Sequence, residues 1–227
     1  MVSFAVGLTK NLPNGRVMRS FVENHDLVIW RSVSGQLSCW LNRCPHRGMR
    51  LSHGFVRGEA LACVYHGWHY GKDTACRYIP AHPDLDPPGT IKTMAFRSFD
   101  KGGIIWVNID NKKDEPIIPN NLLSVRSLEF RCPLEMVEAE IPEFEYHSAK
   151  KGLLNLKIKK QGFGKWIIEI LGQGLYMHLF LHKLPSQKCA IHALSNDNVS
   201  SEQRKDMSRL LEHLRYVSEA KYKVLAA

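Results

Sequence analysis

Two short stretches hold the residues best suited to chemistry. Cys44-Pro45-His46-Arg47-Gly48 contains a Cys-x-His pair, and Cys63-Val64-Tyr65-His66-Gly67-Trp68 a Cys-x-x-His pair, with sixteen residues between His46 and Cys63. Two thiolates and two imidazoles fit a [2Fe–2S] centre in which the cysteines hold one iron and the histidines the other. Zinc draws on the same residue types, but its sites usually pair ligands as Cys-x-x-Cys or His-x3–5-His, so this spacing suits zinc poorly. Gly48 and Gly67 each follow a histidine. A residue without Cβ gives the backbone the freedom to close two loops around a cofactor.

The elements that must position these loops are short. Residues 16–22, 27–31 and 36–41 read as strands, separated by turns at 11–15, 23–26 and 32–35. The first ligand loop follows Leu41. A brief element at 51–56 and a strand at 60–64 lead to Cys63, residues 69–70 and 75–79 flank a turn, and 90–96 and 103–109 are the last strands expected. Many short strands with tight turns predict an all-β domain. Residues 79–88 are proline-rich and read as an extended cover, not a regular element.

The pair CPHRG and CVYHGW resembles the Rieske iron–sulfur domain, in the form carried by ring-hydroxylating and demethylating (vanillate demethylase-like) oxygenases. The resemblance implies that Cys44, His46, Cys63 and His66 bind the cluster, with the histidine-bound iron towards the loop tips. Respiratory Rieske proteins have an extra cysteine in each loop, joined as a disulfide; the corresponding places here are Met49 and Tyr65. Exchange of thiolate for imidazole raises the potential to about −150 to +300 mV, against about −400 mV for plant-type centres. Without the disulfide the lower part of that range is expected. Arg43, Arg47 and Arg50 surround the first loop, where they could tune the cluster, meet an acidic donor or simply be solvated. Tyr65 and Trp68 are expected to pack the loops together. His53 and His69 lie outside the motif and read as ordinary polar residues, and His82 is a poor metal ligand because no partner stands at suitable spacing.

Residues 111–121 are charged, then proline-bearing, and mark a boundary. The expected organisation is a Rieske domain over 1–110, a linker over 111–125 and a reduced helix-grip-like domain over 126–227. In the oxygenases such a domain holds a mononuclear Fe(II) on two histidines and a carboxylate, a set that leaves positions open for dioxygen. Aligning His147 with the last of these ligands puts Pro142 and Ala139 at the other two, so the Fe(II) set is not found. Residues 128–146 alternate apolar and polar side chains, a strand signal. Strands are also expected at 154–159, 166–171, 175–184 and 189–194. One long helix over 200–225 would follow, with a Ser200/Gln203 capping box and an apolar stripe of Met207, Leu210, Leu211, Leu214 and Val217. The fold class is mainly β with one long C-terminal helix. His178 and His182, with Glu169, are an improvised metal set, but strand residues four apart lie about 13 Å apart, too far for one ion.

The net charge of +9 is spread over both halves, which argues against a nucleic-acid-binding tail. Lysines 150, 151, 157, 159, 160 and 165 read as a solvated strand face before a docking surface. Cys39, Cys76, Cys132 and Cys189 read as buried free thiols of a reducing compartment. No apolar run reaches membrane-span length and no leader is evident, so a cytoplasmic protein is expected. The leading functional expectation is a one-electron carrier. It would take electrons from a reductase or ferredoxin to a catalytic iron on an oxygenase partner subunit, within an oligomer. The alternatives are a self-sufficient terminal oxygenase component, hydroxylating or demethylating its substrate, and a degenerate structural partner.

Overall fold

In the first half, short segments rich in apolar and aromatic residues, two to seven residues long and cut by turn residues, form ten strands. The computed structural model describes residues 3–110, 115–148 and 152–226. The strands are β1 (Phe4–Leu8), β2 (Arg16–Val22), β3 (His25–Arg31), β4 (Leu37–Leu41), β5 (Phe55–Arg57), β6 (Ala60–Ala62), β7 (His69–Tyr70), β8 (Cys76–Tyr78), β9 (Ala95–Lys101) and β10 (Ile104–Asn108). Six of them form a sheet in the order β1-β10-β9-β4-β3-β2, and β5-β6-β7-β8 form a four-stranded meander.

Strand β3 is buried on both faces from Leu27 to Arg31. Its side chains alternate between two cores, as strand geometry requires. Leu27 and Ile29 join Val6, Cys39, Ile105 and Val107. Val28 and Trp30 join Trp40, Leu51, Leu61 and Tyr70, and Cys44 and Cys63 belong to this same cluster. Trp30 and Trp40 meet edge to face with centroids 5.0 Å apart, a preferred aromatic geometry. The ligand-bearing loops are therefore rooted in the aromatic core between sheet and meander.

Two boundaries differ from expectation here. Strand β1 is not among the strands expected from sequence, yet four of its five residues are buried. The last strands begin later, at Ala95, because sheet pairing starts where Phe96 and Ala95 meet Cys39 and Trp40. Residues 90–94 form no strand, only the isolated bridge of Lys92 to Ala75 and separate backbone hydrogen bonds such as Leu41 N–H to Met94 O.

The chain clusters into two compact units, Met1–Lys101 with Ile105–Pro116, and Gly102–Ile104 with Ile117–Ala227. Of the boundary expected at 111–121, residues 111–114 lie outside the described residues, as do Lys150 and Lys151. The second unit contains β11 (Leu123–Phe130), α1 (Leu134–Glu140), β12 (Tyr146–Ser148), β13 (Gly152–Leu154), β14 (Leu156–Gly162), β15 (Lys165–Ile170), β16 (Leu175–Leu184), β17 (Lys188–Ser195) and α2 (Ser201–Leu225). Strands β11-β17-β16-β15-β14 form an antiparallel sheet, and β12 pairs with β13. The fold is mainly β with one long C-terminal helix, as expected.

The strand expected across 128–146 is not continuous. It stops at Phe130, and residues 134–143 are helical. Pro133 occupies the N-cap of α1, and Leu134, Val137, Ile141 and Phe144 are buried at helical spacing. Residues of this segment satisfy both periods, and the proline start decides for the helix. Helix α2 has the expected capping box, with Gln203 N–H donating to Ser200 Oγ at 3.2 Å and Ser200 N–H to Gln203 Oε1 at 2.8 Å. Its buried stripe is Met207, Leu210, Leu211, Leu214 and Ser218; Ser218, one residue on, replaces the expected Val217. This stripe, α1 and one face of the sheet share a single apolar core.

Candidate metal centre

The two ligand loops are built alike. In the first, Cys44 N–H donates to Met49 O at 2.8 Å and Gly48 N–H to Cys44 O at 2.9 Å. In the second, Cys63 N–H donates to Trp68 O and Gly67 N–H to Cys63 O, both at 2.9 Å. Gly48 and Gly67 have φ of +71° and +70°, the left-handed region that glycine enters without steric cost. At Gly67 a Cβ would also lie 2.9 Å from Pro80 Cγ, so the proline-rich cover presses on the second loop.

A polar clamp fixes the root of the first loop. Asn42 donates through Nδ2 to Asp26 Oδ1 and Ser52 Oγ, both at 2.9 Å, and accepts from Ser52 N–H at 2.7 Å. Arg19 binds both Asp26 oxygens at 2.8 Å, and Arg50 lies 3.7 Å from the same carboxylate. Burial pushes the Asp26 carboxyl up, but hydrogen bonds from Arg19 and Asn42 outweigh it and hold it below its ordinary range. Sequence reading missed this clamp, because no local motif joins residues 19, 26, 42 and 52.

The four motif residues come together. Cys44 and Cys63 are buried, at 3% and 2% exposure. His46 is half-buried and His66 exposed, and their rings meet at 4.7 Å. His46 stacks on Trp68 with centroids 4.0 Å apart and planes within 5°, and Tyr65 tilts over His66 at 4.0 Å. The expected packing role of both aromatics thus rests on contacts with the histidines themselves.

Burial raises the Cys63 thiol, and the neighbouring Cys44 sulfur raises it further, while the N–H groups of Tyr65 and His66 point at the sulfur and oppose the rise. Tyr70 hydroxyl lies 3.1 Å from Cys44 Sγ, and its own proton is held firmly by burial and by this bond. Burial, then His66 and Arg47, lower the His46 pKa and keep its imidazole neutral, the form that binds metal. Two adjacent buried sulfurs, supplied with donors and backed by outward imidazoles, fit a [2Fe–2S] cluster. As bare thiolates they would repel one another, and cluster irons would compensate that charge.

The other sequence candidates do not join this site. His53 is exposed, and His69 packs on the Tyr78 ring at 5.2 Å. In the second unit His147 is exposed on β12, while Ala139 and Pro142 stand on α1 and the turn after it. His178 is half-buried, and Glu169 accepts from Tyr176 hydroxyl at 3.2 Å. His182 is buried beside His192, with rings 5.7 Å apart; sequence reading did not single out His192. Among the described residues no three His, Cys, Asp or Glu side chains are placed to share a single metal ion, the four motif residues standing as a buried sulfur pair and an outward imidazole pair, and no helix among them is long and apolar enough to cross a membrane. The six cysteines are all free and buried.

Residues 2–95 match the Rieske [2Fe–2S] domain family. Oxidoreductase NdmD of Pseudomonas putida is 29% identical, over 96% of this chain and 40% of that protein. Methylxanthine N1-demethylase NdmA of the same species is 40% identical over 42% of this chain and 27% of its own length. Protein TIC 55, chloroplastic, of Pisum sativum is 33% identical over 46% of this chain and 19% of its own. The chain therefore spans less than half the length of these relatives. Among solved structures, dicamba monooxygenase superimposes with a TM-score of 0.73 at 16% identity, covering 99% of this chain and 87% of that one, a likeness of fold. Loop geometry and similarity agree on a Rieske [2Fe–2S] domain over residues 2–95, and the relatives matched there include demethylases and oxygenase components.

Proposed function

We propose that this chain is a one-electron carrier of a non-haem iron oxygenase system, taking electrons from a reductase or ferredoxin and passing them to a catalytic iron on a partner chain. One observation carries the reading: the sulfur pair is buried while the imidazole edges of His46 and His66 stand together at the surface. In this reading Cys44 and Cys63 hold one iron and His46 and His66 the other. A bound [2Fe–2S] cluster takes up and gives back one electron without further chemistry. The chain's residues bury the thiolates, orient the imidazoles by stacking, and bring the exchanging edge within reach of a partner. A cytoplasmic location belongs to the same proposal, supported by six cysteines that are all free.

Two features favour a carrier over a self-sufficient oxygenase. The sheet and helices of the second unit close on one another through packed apolar side chains such as Phe130, Met177, Leu179, Leu211 and Leu214. The space beside Tyr146 and Leu210 is about 20 Å³, room for about one water, and the roomier hollow of about 310 Å³ by Phe144, Leu153 and Leu171 opens to solvent with Glu145 as the only ionisable residue in its lining. The relative matched over both halves is named an oxidoreductase, whereas NdmA is matched over 42% of this chain.

A potentiometric titration of the cluster tests the proposal. It should give a single one-electron couple between about −150 and 0 mV. A couple near about −400 mV would point to all-cysteine ligation and overturn the assignment. Tyr70→Phe should lower the midpoint by roughly 40–60 mV, since a hydroxyl 3.1 Å from Cys44 Sγ would donate to a cluster-bound thiolate and favour the more negative, reduced state. A hydrogen bond about 1–1.5 kcal/mol stronger to the reduced than to the oxidised cluster converts to that shift for one electron. An unchanged midpoint would remove Tyr70 from the tuning of the site.

A further inference from the structure

The first ligand loop borders a groove that no motif announces. Thr93 Oγ1 donates to Leu41 O at 3.3 Å and Leu41 N–H to Met94 O at 2.9 Å, so residues 92–94 run beside the root of the loop. Arg43, Arg47 and Lys92 line the groove together with Cys44, His46 and Met94. All three cations are exposed, and Met94 is 59% exposed. Arg50, the third arginine of the motif region, lies by Asp26, but Arg43, Arg47 and Lys92 have no ion-pair partner among the described residues. No acidic residue lines the groove among the described residues. Three unneutralised cations around one concavity form a focused positive field.

We infer that this groove receives the acidic face of a protein electron carrier, with Arg43, Arg47 and Lys92 as its contact cations. The inference rests on the carrier reading above and adds the partner's chemistry and the docking side. A carrier that must bind, exchange one electron and leave is served by charge complementarity, which speeds encounter more than it tightens the complex. The groove includes His46, so a docked partner would sit against an imidazole of the proposed exchanging edge. Exposed Met94 supplies an apolar contact within the charged rim.

Stopped-flow reduction of the cluster-loaded chain tests this, with a reduced acidic plant-type ferredoxin as donor and methyl viologen radical, a cation, as control. The ferredoxin rate constant should fall as salt rises from low to about 0.5 M, where charges are screened beyond a few ångströms. Arg43→Glu/Arg47→Glu/Lys92→Glu should lower it about 10- to 100-fold at low salt and flatten the salt slope, while viologen reduction does not fall. Lys92→Glu alone, outside the ligand loop, should give about 3- to 10-fold if the triple variant fails to load its cluster. Lys157→Glu/Lys159→Glu on β14 changes net charge without touching the groove and should have a smaller effect than the triple variant. An equal loss in that control, or an unchanged ferredoxin rate in both groove variants, overturns the groove while leaving the carrier reading intact. A wild-type chain that loads no cluster would instead overturn the carrier reading itself.

Discussion

Cys63→Ala should yield a chain with no iron, no acid-labile sulfide and no visible absorption, whereas Cys76→Ala should retain all three. The contrast follows from place, since both residues are cysteines buried in one core cluster. Cys63 sits at the head of a closed loop, beside Cys44, with the N–H groups of Tyr65 and His66 directed at its sulfur. Cys76 lies on β8, where its thiol reaches the Tyr78 carbonyl at 3.7 Å and burial holds its proton. An iron that loses one of its two thiolates has no substitute in reach without rebuilding β8. Metal binding contributes directly to the folding of such sites, so the ligand variant should also unfold at lower denaturant. Iron and sulfide assays with a urea titration check both. A Cys63→Ala protein with a full cluster would refute the ligand assignment.

The second large effect is acid destabilisation of the second unit through His192. This residue lies on β17 with 4% exposure. Its Nδ1 pairs with Ser127 Oγ at 2.8 Å, and its Nε2 has no protein partner among the described residues. Burial, then the adjacent His182, push its pKa down to about 3. The ring is neutral in the folded chain but takes a proton in the unfolded chain below about pH 6.5. The unfolded state therefore binds more protons between these values, and stability falls as pH drops from about 6.5 towards 3. At pH 5 the loss is about 2 kcal/mol relative to pH 7. Hydrogen exchange of the β16 and β17 amides should show it, and His192→Gln should remove most of that pH dependence. An identical pH slope in the variant would assign acid sensitivity elsewhere.

The candidate site was legible in the sequence because its proposed ligands are short-range patterns with a chemical meaning of their own. Cys-x-His and Cys-x-x-His name donor types, and the glycines that close each loop stand next to the histidines. The supports were not legible, since they come from distant positions. Asn42 is clamped through Asp26 and Ser52, and Lys92 reaches the first loop only because residues 92–94 run beside Leu41. Most strand positions and helix α2 were readable from period and capping, but strand order and α1 were not. There, Leu134, Val137 and Ile141 carried a helical stripe within a run that also alternated apolar and polar. His192 gave no signal, because a buried histidine on a strand becomes unusual only when its partners are known.

The central claim is that this chain holds one electron-carrying cluster and relies on another chain for oxygen chemistry. Iron and acid-labile sulfide counted per chain in the same anaerobically purified sample test it most directly. The account predicts two of each, the content of a single [2Fe–2S] cluster. A third iron per chain would demand a mononuclear site of its own, and zinc without sulfide would remove the cluster altogether; either result contradicts the account.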